Sequence, residues 1–348
     1  MKIDTLELQT RAILSEEAMQ ILRSKDHNTY HKEAGDYECY KYDIEGAPCE
    51  VVVQYTVQNQ KLRIHISSLP KLITGSSVIS LNDSHRDQVY LTIQKILEGI
   101  KIEADPIPEW LVRQMHTYHD FQVGNQVQDY ISVFSKVQLP RYQTIMYAGE
   151  SVSFKCDYME HQVYDKQKKV LKEHGVTKEE VERCKGILRY EVRYRTANLG
   201  NADYRKFGEV CTDEVTGSMI SKYFNTLPMS NLTISSANEV QKKLTALYGG
   251  AAAIHMMGFI DAYGRNALDD VYSDTKGRYL RKLRKAGVSP ILENLTLPPL
   301  ILPFTDQQTI TSVKEIAPKR LTEYRRLPCK RETAQRDKTY LAKNTDSE

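Results

Sequence analysis

The sequence predicts an α+β protein in which a sheet with helices on one face is followed by a mainly helical part. Three observations lead to this prediction. The first two hundred residues contain several short segments in which apolar and polar residues alternate, as they do in strands. Segments with helical spacing lie between them. After the polar stretch at 198–208, the remaining periodic segments are all helical and are separated by Gly and polar turns.

The chain begins with a predicted strand and a predicted helix. "IDTLELQT" alternates apolar and polar residues, and "LSEEAMQILRS" has helical spacing with Ser15 as its N-cap. Residues 37–68 then predict several strands, with turns near "EGAP" and "QNQK".

The middle of the sequence continues the alternation of elements. "SLPKLITGSSV" is predicted to be a loop, and residues 85–100 a helix whose apolar side includes Val89, Ile93 and Ile96. Residues 106–124 contain a further strand, and residues 125–137 predict a helix.

Four more strands or strand-like segments complete the first part. "RYQTIMY", "ESVSFKCD" and "HQVYDKQ" predict strands, the last of which continues into a helix, while "TKEEVERCKG" is helical and "ILRYEVRYRT" is a strand. The order resembles β-α-β-β-α-β, which favours an antiparallel sheet with helices on one face. No internal repeat is evident in the sequence.

The change of pattern near residue 200 predicts a domain boundary. We therefore expect one domain over residues 1–199 and a mainly helical domain over residues 200–325. The helical segments of the second domain are "TGSMISKYFNTL", 237–264 and "SDTKGRYLRKLRKAG". Residues 326–348 have few apolar residues and predict a disordered basic tail.

Composition excludes several classes of protein. The chain has no run of about 18 apolar residues, so no membrane span is expected, and the acids within its first residues are unlike a signal peptide. The six cysteines form no CxxC pair, which argues against a zinc knuckle or a redox motif. Scattered cysteines are typical of reduced thiols, and we expect a cytoplasmic protein.

Positive charge is concentrated towards the end of the chain. Residues 276–343 contain 16 Lys and Arg against 6 Asp and Glu, whereas the whole chain has a net charge of only +3. This asymmetry indicates an anionic partner, and the arginines Arg281 and Arg284 are candidate contacts to DNA phosphates. A solvated basic helix with a loose tail is the alternative explanation.

A tyrosine among lysines is the first candidate catalytic group. In "HQVYDKQKKVL", Tyr164 precedes Lys166, which in a strand would point to the same face. Because a free tyrosine has a pKa near 10, a tyrosine nucleophile needs a nearby cation or base. We therefore propose Tyr164 and Lys166 as catalytic residues, with Tyr147 and Tyr158 as competing nucleophiles. A tyrosine packed at the end of a strand is the simpler alternative.

A histidine and an acid on one strand are candidate metal ligands. In "RQMHTYHDF", alternation places His116, Tyr118 and Asp120 on one face and His119 on the other. With His65 on a neighbouring strand, His116 and Asp120 could hold Mg²⁺ or Mn²⁺. A surface histidine beside a capping aspartate would explain the same pattern.

Two further segments are candidates for DNA contacts. Ser68 and Lys71 lie in "SSLPKLITG", where hydroxyls and a lysine near a turn could hold a phosphate. "ILRYEVRYR" places Arg189, Glu191 and Arg193 on one strand face. That row could face DNA, with Arg189 and Arg193 as contacts, or could form a cross-strand ladder of salt bridges.

Five segments occur in an order that resembles a known family. They are "MKIDTLEL", "SLPKLITGSSV", "VYDKQKKVL", "GILRYEVRYR" and "MGFIDAYGRNALDD" with the following "RYLRKLRKAGVSPI". Together they resemble the replication initiators of filamentous phages, of the gene II and gene X type, and their plasmid and phage relatives. The chain departs from the related superfamily in lacking a strict His-x-His, since "HTYH" has two intervening residues and "QMH" has His116 where relatives tend to have Asp.

The resemblance implies a function and a fold. It implies a metal-dependent endonuclease with a ferredoxin-like sheet of the HUH type, which nicks one strand of origin DNA through Tyr164 and begins rolling-circle replication. A 5′-phosphotyrosine intermediate would form, and the DNA strand would later be rejoined. The protein would act in the cytoplasm of a bacterial host, together with the host polymerase and helicase. The alternatives are a non-catalytic origin-binding regulator that retains the fold and a relaxase-type mobilisation protein.

Overall fold

A single antiparallel sheet of ten strands forms the centre of the protein. The computed structural model describes residues 1–24, 29–34, 37–157, 159–195, 206–268, 271 and 273–303. Within these residues the strands are β1 (Ile3–Arg11), β2 (Thr29–Ala34), β3 (Tyr37–Asp43), β4 (Val51–Thr56), β5 (Lys61–Ile66), β6 (Leu111–Gln122), β7 (Gln143–Tyr147), β8 (Ser151–Cys156), β9 (Met159–Asp165) and β10 (Ile187–Arg195).

The strand order shows a structural duplication. The order across the sheet is β2-β3-β4-β5-β1-β6-β10-β9-β8-β7. In each half a first strand is followed by a helix and then by four strands, of which the last pairs with the first. The halves join through β1 and β6. The predicted β-α-β-β-α-β order is therefore wrong. The repeat lies in the connectivity of the strands, whereas none is evident in the residues.

The helices of the described residues are short, and most have a side-chain N-cap. They are α1 (Glu16–Arg23), α2 (Leu69–Thr74), α3 (Arg86–Gly99), α4 (Val127–Ser135), α5 (Lys166–Val170), α6 (Lys178–Arg183), α7 (Phe207–Val210), α8 (Asp213–Phe224), α9 (Ala237–Tyr248), α10 (Gly250–Gly264) and α11 (Ser273–Lys285). Ser15 caps α1 as predicted, since its side chain accepts the N–H of Ala18.

Helices α4 and α8 cover one face of the second half of the sheet. Phe134 of α4 contacts Phe154 of β8, and Phe224 of α8 packs edge-on against Tyr190 of β10. The Tyr194 hydroxyl of β10 donates to the Met219 carbonyl of α8. The predicted α+β class with a large antiparallel sheet is confirmed, and the opposite sheet face is left for polar side chains.

The structure corrects two predictions about local structure, at segments where helices end at glycines. The segment 68–78, predicted to be a loop, contains α2, which begins after the Ser68 cap and ends at Gly75 with φ of 77°. The single helix predicted over 237–264 is two helices, because Gly249 has φ of 81° and ψ of 163°, a conformation that glycine adopts far more readily than other residues.

The chain divides into two compact units. Met1–Gln307 form the first, and Gln308–Glu348 form the second, which lies outside the described residues. The boundary predicted at 199/200 falls within residues 196–205, also outside them, and the predicted tail at 326–348 does as well. Both therefore stay predictions.

The described residues bear on the sequence-based expectations about membrane-spanning helices and cysteines. None of its helices is both long enough and apolar enough to cross a membrane. Its five cysteines, Cys39, Cys49, Cys156, Cys184 and Cys211, are all free thiols.

Candidate active site

The candidate site lies on the polar face of β6, β10 and β9. Across these strands Asp120 is opposite Arg189, and Arg189 is opposite Tyr164. One step along, Tyr118 is opposite Glu191, and His116 is opposite Arg193. The predicted shared faces of β6 and β10 are confirmed, and the register brings the two candidate strands together beside the tyrosine strand.

The Tyr164 phenol is held between a carboxylate and an ammonium group. Its hydroxyl donates to Glu191 Oε2 over 2.9 Å, and Lys169 Nζ donates to the Tyr164 hydroxyl oxygen over 3.0 Å. Lys169 also lies 4.6 Å from the centre of the phenol ring. The tyrosine is only 3% exposed. Burial and the adjacent Glu191 charge raise its pKa well above 10, so the phenol is protonated at neutral pH.

Three basic side chains of the site lie around the Glu191 carboxylate. Arg193 Nε donates to its Oε1 over 2.9 Å, and His116 Nδ1 lies 3.4 Å from that oxygen. Burial alone would raise the pKa of the Glu191 carboxyl, but Lys169, His116 and Arg193 hold it well below 4.5. The base beside the phenol is therefore a carboxylate that its neighbours orient from the other side.

Arg189 and Asp120 form a bidentate ion pair on this face. Arg189 Nε and Nη2 donate to the two carboxylate oxygens of Asp120 over 2.6 and 2.8 Å. The guanidinium lies 3.8 Å from the centre of the Tyr118 ring, and Arg189 is 1% exposed. Although burial would raise it, Arg189 holds the pKa of Asp120 below 3.8. This pair supports the salt-bridge interpretation of the arginine row.

The lysine that contacts Tyr164 is Lys169, about one helical turn after the predicted Lys166. Lys166 is not in the strand but is the first residue of α5, after the Asp165 N-cap. It is buried, and burial lowers its pKa to about 8. The ammonium beside the phenol belongs to Lys169, because a helix that begins at Lys166 carries its fourth residue back over the end of β9.

The predicted metal ligands are not brought together. Asp120 has both oxygens bonded to Arg189, and His116 faces Glu191 and Gln114. His65 is on β5, separated from β6 by β1. Among the described residues no group of three His, Cys, Asp or Glu side chains could hold a metal ion. The predicted ligand set therefore does not fit a metal, and metal dependence stays a prediction from the resemblance.

The predicted DNA contacts have different surroundings. Ser68 has a structural role, since its hydroxyl caps α2 at the N–H of Lys71 and donates to Asp4 Oδ1 over 3.3 Å. Lys71 is partly exposed. Arg189 could reach DNA only by leaving Asp120, because it is buried in that ion pair.

The remaining arginines are more accessible. Arg193, 31% exposed, also bonds Glu160 and Gln162. On α11, Arg281 is exposed, while Arg284 Nη2 donates to the Leu227 carbonyl over 3.1 Å. Arg281 and Arg284 are exposed and Arg193 is partly exposed, so all three are more accessible than the buried Arg189.

Tyr147, one of the two competing tyrosines, is less well placed than Tyr164. Tyr147 at the end of β7 is 47% exposed, with no hydrogen bond to a base among the described residues, and Tyr158 lies outside them. Sequence reasoning missed the specific roles of Lys169 and Glu191. The available signal was the Asp165 cap, which places Lys169 one turn into the helix.

Comparisons with known proteins leave the family open. No family model matches the chain, and no curated protein matches it. Among solved structures, Methanococcus jannaschii TBP aligns with a TM-score of 0.32 and 13% identity, covering 65% of this chain and 96% of that one. A TM-score this low does not establish a common fold.

Proposed function

We propose that the protein is a DNA-nicking replication initiator that uses Tyr164 as its nucleophile. The observation that carries the proposal is the contact of one phenol oxygen with both Glu191 and Lys169. A hydroxyl nucleophile needs a base to take its proton and a cation to balance the charge that develops. The sequence resemblance to phage and plasmid initiators supplies the substrate, which is origin DNA.

The chemistry is a phosphodiester transesterification. The Tyr164 oxygen attacks phosphorus as its proton passes to the Glu191 carboxylate. The bond from phosphorus to the 3′ oxygen breaks, and this oxygen takes up a proton from water and leaves as a 3′-hydroxyl. Lys169 balances the negative charge on the phosphate and the attacking oxygen. The 5′-phosphotyrosine keeps the energy of the bond, so a second attack by a 3′-hydroxyl can rejoin the strand.

The scissile phosphate would approach from the side of Lys169 and Arg193. These two cations are 40% and 31% exposed, whereas Arg189, Tyr118 and Tyr164 form the buried side of the cluster. A phosphate that contacted both cations would lie next to the phenol. Positioning and electrostatic stabilisation supply most of the rate in phosphoryl transfer.

The proposal also names the partners of the protein and its type of nuclease chemistry. The basic helix α11 would contact DNA phosphates through Arg281, and host polymerase would extend the 3′-hydroxyl. We assign the nuclease chemistry of the HUH type, supported by a tyrosine near the end of an antiparallel strand. The ten-stranded order differs from one ferredoxin-like unit, so the assignment concerns chemistry and not that topology.

The decisive experiment is covalent capture of DNA. A pool of 3′-labelled, random-sequence single-stranded oligonucleotides, with Mg²⁺ or Mn²⁺ present, is incubated with the protein and run on denaturing gels. Wild-type protein should retain the label. Tyr164→Phe should lose the adduct while keeping DNA binding, and Glu191→Gln should slow adduct formation about a hundredfold or more.

The matched control is Tyr147→Phe, which removes the hydroxyl of an exposed tyrosine with no adjacent base. It should form adduct at the wild-type rate. Adduct formation by Tyr164→Phe, with loss in Tyr147→Phe, would move the nucleophile and refute the assignment.

The near-complete burial of Tyr164 favours one second candidate function. In that case the cluster stabilises the sheet, and the protein binds origin DNA without cutting it. Normal DNA binding by the wild-type protein with no adduct under either metal would support this candidate.

A further inference from the structure

The first half of the sheet carries a basic patch on the same face as Tyr164. Arg11 of β1 lies opposite Lys61 of β5, which lies opposite Thr56 of β4. The next row on this face contains Gln9, Arg63, Gln54 and Lys41, on β1, β5, β4 and β3. We call these two rows the basic patch. Register and alternation connect this face to the candidate site through Glu7 and Gln114.

The patch brings like charges together without acids. Arg11 and Lys61 are direct cross-strand neighbours, whose Cβ atoms lie about 5 Å apart in such pairs, and like charges in this position are destabilising. Among the described residues, Arg11, Lys61 and Lys41 make no ion pair. Arg63 is the one that does, with Glu7 at 3.9 Å. A fold that places Arg11, Lys61 and Lys41 here without an ion pair among the described residues indicates an anionic partner.

The spacing of the patch suits a polymer of phosphates. Arg11 and Lys61 lie on neighbouring strands about 4.8 Å apart, and Lys61 and Arg63 are alternate residues about 7 Å apart along β5. Lys41 lies two strands from Arg63, or about 10 Å. Gln54 lies between Arg63 and Lys41, while Gln9 lies beside Arg63 and Thr56 beside Lys61. These neutral side chains can hydrogen-bond to phosphate and sugar oxygens. The acids Glu7 and Asp43 are confined to the following row.

We propose that the basic patch binds the phosphate backbone of duplex DNA beside the nicking site. The identification of the anion as DNA rests on the proposed function. In the register, Tyr164 lies four strands across from Arg63 and nine residues along the strand direction. These two offsets correspond to a diagonal distance of about 35 Å across the sheet. That length is about ten base pairs of duplex. The first half of the duplicated sheet would thus bind duplex DNA, and the second half would cut one of its strands.

The test is the salt dependence of binding to a random-sequence duplex, measured by fluorescence anisotropy with the full chain. Arg11→Gln combined with Lys61→Gln removes two charges without adding any. The slope of log affinity against log salt should fall by about 1.8, because each phosphate contact contributes about 0.9. The matched control combines Lys95→Gln with Lys101→Gln, two exposed lysines on and just after α3, and should leave the slope unchanged.

Stability and catalysis separate this inference from a folding defect and from the nicking proposal. Thermal stability of the patch variant should be equal to wild type or higher, since repulsion between Arg11 and Lys61 is relieved. Its adduct yield at saturating protein should be normal. An unchanged slope and affinity would overturn the basic patch and leave the role of Tyr164 intact. Loss of adduct in Tyr164→Phe has no bearing on the slope, so the two proposals fail independently.

Discussion

Replacing Asp120 with Asn tests whether this acid is the counter-ion of Arg189 or a metal ligand. The substitution keeps the shape of the side chain and removes its charge. Arg189 is 1% exposed and stacked on Tyr118, so its guanidinium cannot turn to solvent. Removing one partner of a buried ion pair typically costs about 3–5 kcal/mol, because the other charge is left uncompensated. We expect the free energy of unfolding to fall by about 3 kcal/mol or more.

The assay is urea denaturation at pH 7, far above the lowered pKa of Asp120, where the pair is fully charged. Because that pKa is lowered in the folded state, the stabilisation is present above about pH 4 and is lost as pH falls further. Arg189→Met in the Asp120→Asn background removes the stranded charge and should recover part of the loss. Asp157→Asn, at an exposed acid without an ion pair among the described residues, should change stability by less than about 0.5 kcal/mol.

Two results would refute this account of Asp120. One is a loss below about 1 kcal/mol for Asp120→Asn, which would mean that Arg189 finds another partner. The other is stabilisation of wild-type protein by Mn²⁺ that disappears in Asp120→Asn, since a ligand that binds only the folded state raises its stability. That second result would restore Asp120 to the metal site.

Three further predictions concern the site and the fold. Lys169→Met should slow adduct formation at saturating protein about tenfold or more, while Lys168→Met, a neighbouring lysine that does not contact the phenol, should be normal in the same gel assay. Gly186→Ala should destabilise the protein by at least about 2 kcal/mol in urea, because Gly186 has φ of 71° and a Cβ there would lie 2.7 Å from Gly124 Cα; wild-type stability would contradict this geometry. Burial lowers the pKa of His161 to about 4, so the unfolded state binds the proton first and stability falls between about pH 6.5 and 4. His161→Phe should remove about 3 kcal/mol of that loss in urea titrations at the two pH values, and an unaltered pH profile would show that His161 is not its source.

The sequence alone was enough to predict the strands β6 and β10 and the faces of their residues. Period-two alternation placed Arg189, Glu191 and Arg193 together, and the register of β10 confirms it. The transition from strand to helix after Tyr164 was also predictable, because Asp165 is a strong N-cap. These features depend on residues close together in the chain, where local geometry leaves few alternatives.

Tertiary structure decided which of these residues touch. Asp120 and Arg189 are 69 positions apart, and their pairing depends on β6 lying beside β10, which no local pattern specifies. The same contact removes Asp120 from the predicted metal site. The duplicated strand order, which brings the basic patch onto the face of Tyr164, is likewise set by pairing between distant strands, because the hydrogen bonds of a backbone ladder carry no sequence-specific signal.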